Sequence, residues 1–119
     1  MTLADYITEN LQRPFAWGSF DCALFAAGWV EHKTGRNPLE GIPAWSNKRE
    51  AIKTIRAVGG LAAALDARFE RINPHLATDG MLAMRKGAVM LFSGSRIVGP
   101  GWNGLVFVSR MEAEAAWRI

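Results

Sequence analysis

The residue order predicts an α+β fold in which N-terminal helices pack on one face of a small antiparallel sheet. Two patterns carry that expectation. Apolar residues recur at helical spacing as far as Phe69, and beyond Pro74 they fall into short β-branched or apolar runs divided by glycine turns. A length of 119 residues with 50% hydrophobic content supports one core and is too short for two, so 1–119 reads as a single domain.

The first helix is expected over Thr2 to Leu11, with Leu3, Tyr6, Ile7 and Leu11 on one face, Thr2 as N-cap and Pro14 as terminator. A second begins at Cys22, capped by Asp21 or Ser19. Cys22, Phe25, Ala26, Trp29 and Val30 share its buried face until Gly35 stops it. The stretch Asn37 to Ser46 holds Pro38, Gly41 and Pro43 and reads as a loop pinned to the core by Trp45. Ser46 or Asn47 caps a third helix carrying Ala51, Ile52, Ile55 and Val58, which ends at Gly59-Gly60. Leu61 to Phe69 forms a fourth. Strands are expected at Met81–Met84, Ala88–Phe92, Arg96–Val98 and Leu105–Val108, joined as an antiparallel meander by the turns Lys86-Gly87, Ser93-Gly94 and Pro100-Gly101. Met111 to Trp117 reads as a last helical turn or two. No internal repeat or low-complexity segment is present.

Charge and composition exclude several functions. The formal net charge is +3 and the pI about 9.5. The basic residues are nevertheless spread from Arg13 to Arg118 with no run longer than two, which argues against a nucleic-acid surface and leaves a bias toward anionic partners. The single cysteine forbids an internal disulfide and a multi-cysteine zinc site, and no cofactor or metal is expected. No apolar run approaches the ~20 residues of a membrane span. Without a basic and apolar leader, the expectation is synthesis in the cytoplasm with no exit by the general secretory route.

The run Trp17-Gly18-Ser19-Phe20-Asp21-Cys22 carries the clearest chemical signal. It places the only cysteine at a helix N-terminus, where unpaired N–H groups and the positive end of the macrodipole favour thiolate over thiol. Cys22 is therefore a candidate nucleophile, or else a small apolar residue on the inner face of its helix. Asp21 is an N-cap carboxylate with or without catalysis, and its negative charge opposes thiolate formation beside it. Trp17, Trp29, Trp45, Trp102 and Trp117 suggest either a sugar-stacking platform or anchors of the core and of an interface.

Phe15-Ala16-Trp17-Gly18-Ser19-Phe20-Asp21-Cys22 and Thr34-Gly35-Arg36-Asn37-Pro38 resemble the aromatic-Trp-Gly-x-x-Asp-Cys start and Thr-Gly-Arg/Lys-Asp/Asn-Pro continuation of the NlpC/P60 superfamily of papain-like cysteine peptidases, in its compact phage and prophage branch. Gly59-Gly60, Gly99-Pro100-Gly101-Trp102-Asn103-Gly104-Leu105 and Ala116-Trp117-Arg118-Ile119 are similar to that branch as well, so the resemblance spans nearly the whole chain. It implies the papain-like NlpC/P60-type fold, with Cys22 at the nucleophile position.

Active relatives carry a Gly-Asp-Leu/Val strand, then a turn and a His-Val/Ala-Gly-Ile strand whose histidine is the general base. Here Asp79-Gly80-Met81-Leu82-Ala83-Met84 is similar to the first strand with Gly-Asp inverted, and Gly87-Ala88-Val89-Met90-Leu91 falls at the second. The base position is then Lys86 or Gly87, neither of which readily takes a thiol proton. His32, ten residues after Cys22 on the same helix, lies about 15 Å away along its axis. His75, in Asn73-Pro74-His75, precedes the sheet instead of starting its second strand.

The resemblance thus implies a virion component at or near a phage or prophage tail tip: a pseudoenzyme that keeps the Cys22 position, has lost the dyad, and contacts other tail proteins through aromatic and Arg-rich surfaces. One alternative is an active peptidoglycan endopeptidase, with Cys22 forming an acyl-enzyme and His75 or another group as base. Another is a non-catalytic peptidoglycan binder using the old active-site groove.

Overall fold

Helix α1 (Leu3–Asn10) starts at Thr2, whose hydroxyl accepts from the Asp5 N–H while the Asp5 carboxylate accepts from the Thr2 N–H, a closed capping box. The computed structural model describes all of residues 1–119. Leu3, Tyr6 and Ile7 pack on the core, and the Tyr6 hydroxyl donates to the Phe25 carbonyl at 2.6 Å, tying α1 to helix α2 (Cys22–Thr34). The contact requires Gly28, since a Cβ there would stand 2.5 Å from the Tyr6 oxygen. Of the two expected caps for α2, Asp21 is the one used, accepting from the Leu24 N–H, and Gly35 at φ 77° ends the helix.

Asn47 caps helix α3 (Lys48–Ala57), and Gly59-Gly60, both at positive φ, turn the chain into helix α4 (Leu61–Arg68). The apolar stripe expected on α3 is only partly used. Ala51 is buried and Ile55 half-buried, while Ile52 and Val58 are exposed, because α3 lies at the periphery and covers the core with one edge.

The sheet has six antiparallel strands: β1 (Glu70–Ile72), β2 (Leu82–Arg85), β3 (Ala88–Ser93), β4 (Arg96–Gly101), β5 (Gly104–Ser109) and β6 (Ala115–Arg118), in the order β1-β6-β2-β3-β4-β5. The expected meander is β2 to β5. The expected terminal helix is not formed: a 3₁₀ turn at Arg110–Glu112 returns the chain, and 115–118 insert as a strand between β1 and β2. Insertion buries Ala116 on one face and Trp117 on the other, which outweighs the helical preference of an Ala- and Glu-rich segment.

Register places the core. Trp117, Leu82, Leu91, Val98 and Phe107 are cross-strand neighbours in a stripe facing α2. Alternation sends Ala83, Met90, Phe92, Ile97 and Ala116 to the opposite face, which is covered by the segment around a 3₁₀ turn at Pro74–Leu76 and by Ala113. The α-helices thus sit on one face, and full burial of side chains such as Phe92, Leu91 and Ile97 contributes about 1.5–3 kcal/mol each.

Two local features give measurable consequences. The β2–β3 hairpin turns through Lys86 (φ 49°) and Gly87 (φ 77°), both left-handed as a two-residue type I′ turn requires. Lys86 is the one non-glycine residue of the chain at positive φ, so Lys86→Asn is expected to raise stability by about 0.5–1 kcal/mol, read as a higher urea midpoint at unchanged slope. At the sheet's other end the Asp66 carboxylate accepts from Arg71 (2.9 and 2.8 Å) and from Trp117 Nε1 (2.8 Å). Arg71, then Trp117, draw its pKa from the ordinary 3.8 to about 2. A lowered carboxylate pKa favours the folded state above 3.8 and loses that contribution as pH falls through 2. Asp66→Asn should therefore flatten the decline in stability across that acid window, measured by urea unfolding at successive pH values.

Candidate functional site

The site is organised by Asp21, the one buried charged or polar side chain of the chain, 1% exposed. Its Oδ1 accepts from the Leu24 N–H at 3.0 Å, and its Oδ2 accepts from the Gly18 N–H at 3.1 Å and from Trp45 Nε1 at 2.6 Å. One carboxylate thus joins the turn before α2, the first turn of α2 and the loop before α3. Gly18 is required twice over: its φ is +83°, and a Cβ would stand 2.5 Å from the Trp45 carbonyl oxygen. The Trp-Gly-x-x-Asp pattern is accordingly a packing device, holding the 17–21 turn against Trp45-Ser46.

That device opens a cavity of about 490 Å³ at the head of α2. Trp17 and Trp45 wall one side, Ile52, Ile55 and Arg56 of α3 another, and Cys22 faces it from the helix N-terminus. Gly87, at the tip of the β2–β3 hairpin, closes one edge; it is one of the two positions, with Lys86, at which the sequence resemblance would put a base. A glycine offers no proton acceptor there.

Burial dominates the thiol's chemistry and pushes its pKa up, with the Asp21 charge adding in the same direction. The N–H groups of Val89, Ala23 and Cys22 itself pull it down, but they do not prevail. The thiolate preference expected from the helix N-terminus is therefore reversed: Cys22 is half-buried and holds its proton more firmly than a free thiol.

Neither histidine lines this cavity. His32 is exposed near the end of α2, with Nε2 3.0 Å from the Met1 carbonyl oxygen and its ring against Trp29. His75 is exposed in the Pro74–Leu76 turn, where its N–H donates to Asn73 Oδ1 at 2.9 Å, beside Arg110 and Met111. The sheet lies between it and Cys22, because the neighbouring Ala77 packs on the face turned away from α2. No three His, Cys, Asp or Glu side chains gather in a metal-binding group.

Two further surfaces adjoin the cavity: an aromatic row built on two of the tryptophans that the sequence offers as a platform or interface anchors, and a cationic face that its linear pattern does not mark. Trp17 stacks edge-on against Phe15 (4.8 Å between centroids), and Phe15 against Trp102 (4.9 Å), which is 72% exposed at the β4–β5 turn. The backbone bonds Phe15 N–H to Gly101 O and Leu105 N–H to Leu11 O hold this aromatic row together. On the other side, Lys48, Arg49, Lys53 and Arg56, unremarkable as a linear pattern, are brought by α3 around one hollow.

No helix is long and apolar enough to cross a membrane. Comparison with curated proteins and with solved structures returns no match. Across its whole length, residues 1–119, the chain belongs to the family described as Domain of unknown function (DUF6950).

Proposed function

We propose that this chain is a tail or tail-tip component of a bacteriophage or prophage, built on an NlpC/P60-like cysteine-peptidase domain that keeps the nucleophile position and has lost the catalytic base. The observation that carries the reading is the Cys22 cavity: the cysteine heads its helix behind the Trp17-to-Asp21 turn, yet Gly87 stands at the cavity edge and both histidines lie elsewhere. A thiol whose pKa is raised by burial, with no imidazole in its cavity, is poorly suited to acyl transfer. The cavity, the aromatic row ending in Trp102 and the cationic face of α3 are instead suited to contact with other tail proteins, in a particle assembled inside the bacterial host.

The assignment to the tail rests on the motif resemblance, and the direct test is composition of the particle. Mass spectrometry of purified virions should find the protein at a fixed ratio to tail proteins. Deleting its gene should leave particles with incomplete tails, and complementation with Cys22→Ala should restore them. Absence from virions, or muropeptide release from cell walls that Cys22→Ala abolishes, would overturn the reading.

A further inference from the structure

We propose that the Cys22 cavity and the adjoining face of α3 together form a docking site for an acidic segment of a partner protein, one large apolar side chain entering the cavity while carboxylates lie along the helix. This deepens the assembly reading by giving the contact a place and a chemistry. Charge is the first argument. Helix α3 carries Lys48, Arg49, Lys53 and Arg56 against the single carboxylate of Glu50, so one helix holds the equivalent of the whole chain's formal net charge of +3. Glu50 is engaged by the Ser46 N–H at 2.8 Å, and none of the three ion pairs of the fold, Arg71–Asp66, Arg85–Glu112 and Arg118–Glu70, involves α3. Four cations left without protein counter-charges on one short surface complement an anionic partner.

Continuity is the second argument. Ile52 and Arg56 line both the cationic hollow and the Cys22 cavity, so the two form one surface, and Ile52 is 44% exposed among the cations. An exposed isoleucine between basic side chains, next to an opening walled by Trp17 and Trp45, suits a ligand that is both acidic and apolar. A helix of 10 residues spans about 15 Å, the reach of four or five extended residues. A nucleic-acid strand would need the basic track to continue, whereas the cavity's other polar wall residue is the Asp21 carboxylate.

The test uses the intact protein and a fluorescein-labelled peptide with Glu and Asp residues on both sides of a central Trp-Leu pair, read by fluorescence anisotropy at about 0.05 M and about 0.3 M salt. Saturable binding is expected. It should weaken at least about tenfold with Lys53→Glu/Arg56→Glu, and comparably when Gly-Ser replaces the Trp-Leu pair. Both substitutions lie at exposed positions, and a thermal melt matching the parent verifies folding. Ile52→Ser, uncharged, should weaken the acidic peptide while leaving its salt dependence intact. Absence of binding, equal binding by the charge-reversed protein, or equally tight binding of a thymidine oligonucleotide of matched charge would each overturn the proposal. A missing protein in virions would sink the assembly reading and leave this result untouched, and peptide failure would leave virion membership untouched.

Discussion

Asp21→Ala is expected to cost about 3–5 kcal/mol of folding stability, a large share of the 5–15 kcal/mol that holds a typical domain. The substitution removes the only acceptor of the Trp45 indole N–H and of the Gly18 and Leu24 amides. Bonds to a charged acceptor are worth about 1.5–3 kcal/mol each, and a lost N-cap about 1 kcal/mol. Some of that cost is recovered by water reaching the vacated carboxylate position, so the total falls below the simple sum. A drop in melting temperature on the order of 10 °C or more should follow. Asp21→Asn separates charge from geometry. Its carbonyl oxygen can still accept from Trp45 and Gly18, while its amide faces the Leu24 N–H, so roughly half the loss should return. If Asp21→Ala melts within a degree or two of the parent, the carboxylate is not the organising group of the site.

How much of this could be read beforehand varies from element to element. Helix α2 was legible at both ends, because an Asp cap, an apolar face and a glycine stop are local signals and the structure uses all of them. The four meander strands were legible for a similar reason: each is an apolar run between residues that turn. Strand β6 was not, since nothing in Ala115–Arg118 marks it as a strand until β1 and β2 accept it. Strand β1 is short and charged along Glu70-Arg71, and pairs at the sheet edge without an apolar pattern to announce it. At the site, Cys22 and the capping role of Asp21 followed from neighbouring residues. The bond between Asp21 and Trp45 spans 24 positions and has no local signature. The thiol's pKa direction was unreadable for the same reason, because the helix terminus is a sequence feature and desolvation is a tertiary one.

The same geometry assigns the motif's parts different tasks. Gly18 and Asp21 build the turn, Trp45 closes it, and Cys22 merely faces the opening that results. That arrangement does not depend on the hairpin tip, where Gly87 satisfies a type I′ turn independently of Cys22. Asp21 and Gly18 therefore hold the turn together, whereas the thiol makes none of the hydrogen bonds that do so.

Native Cys22 is expected to react with iodoacetamide at neutral pH more slowly than the same thiol in the urea-unfolded chain, because burial raises its pKa and limits access to it. Only the thiolate is alkylated, and each unit by which a thiol pKa rises cuts the thiolate fraction about tenfold. Burial is the largest cause of the upward shift from 9.0, and the Asp21 charge reinforces it. The native rate should keep climbing with pH beyond the region where the unfolded thiol levels off, with no shoulder near pH 6. The linkage runs in a definite direction. A thiol pKa raised by folding contributes stability that is full below the unfolded value of 9.0 and declines as pH rises through the folded value, so Cys22→Ala should flatten the alkaline side of the stability curve. His75→Ala should leave the alkylation profile unchanged, because the sheet stands between the imidazole and the cavity. Rapid alkylation near pH 6 that slows in His75→Ala would reveal an activated Cys–His pair and overturn the proposal that the catalytic dyad is absent.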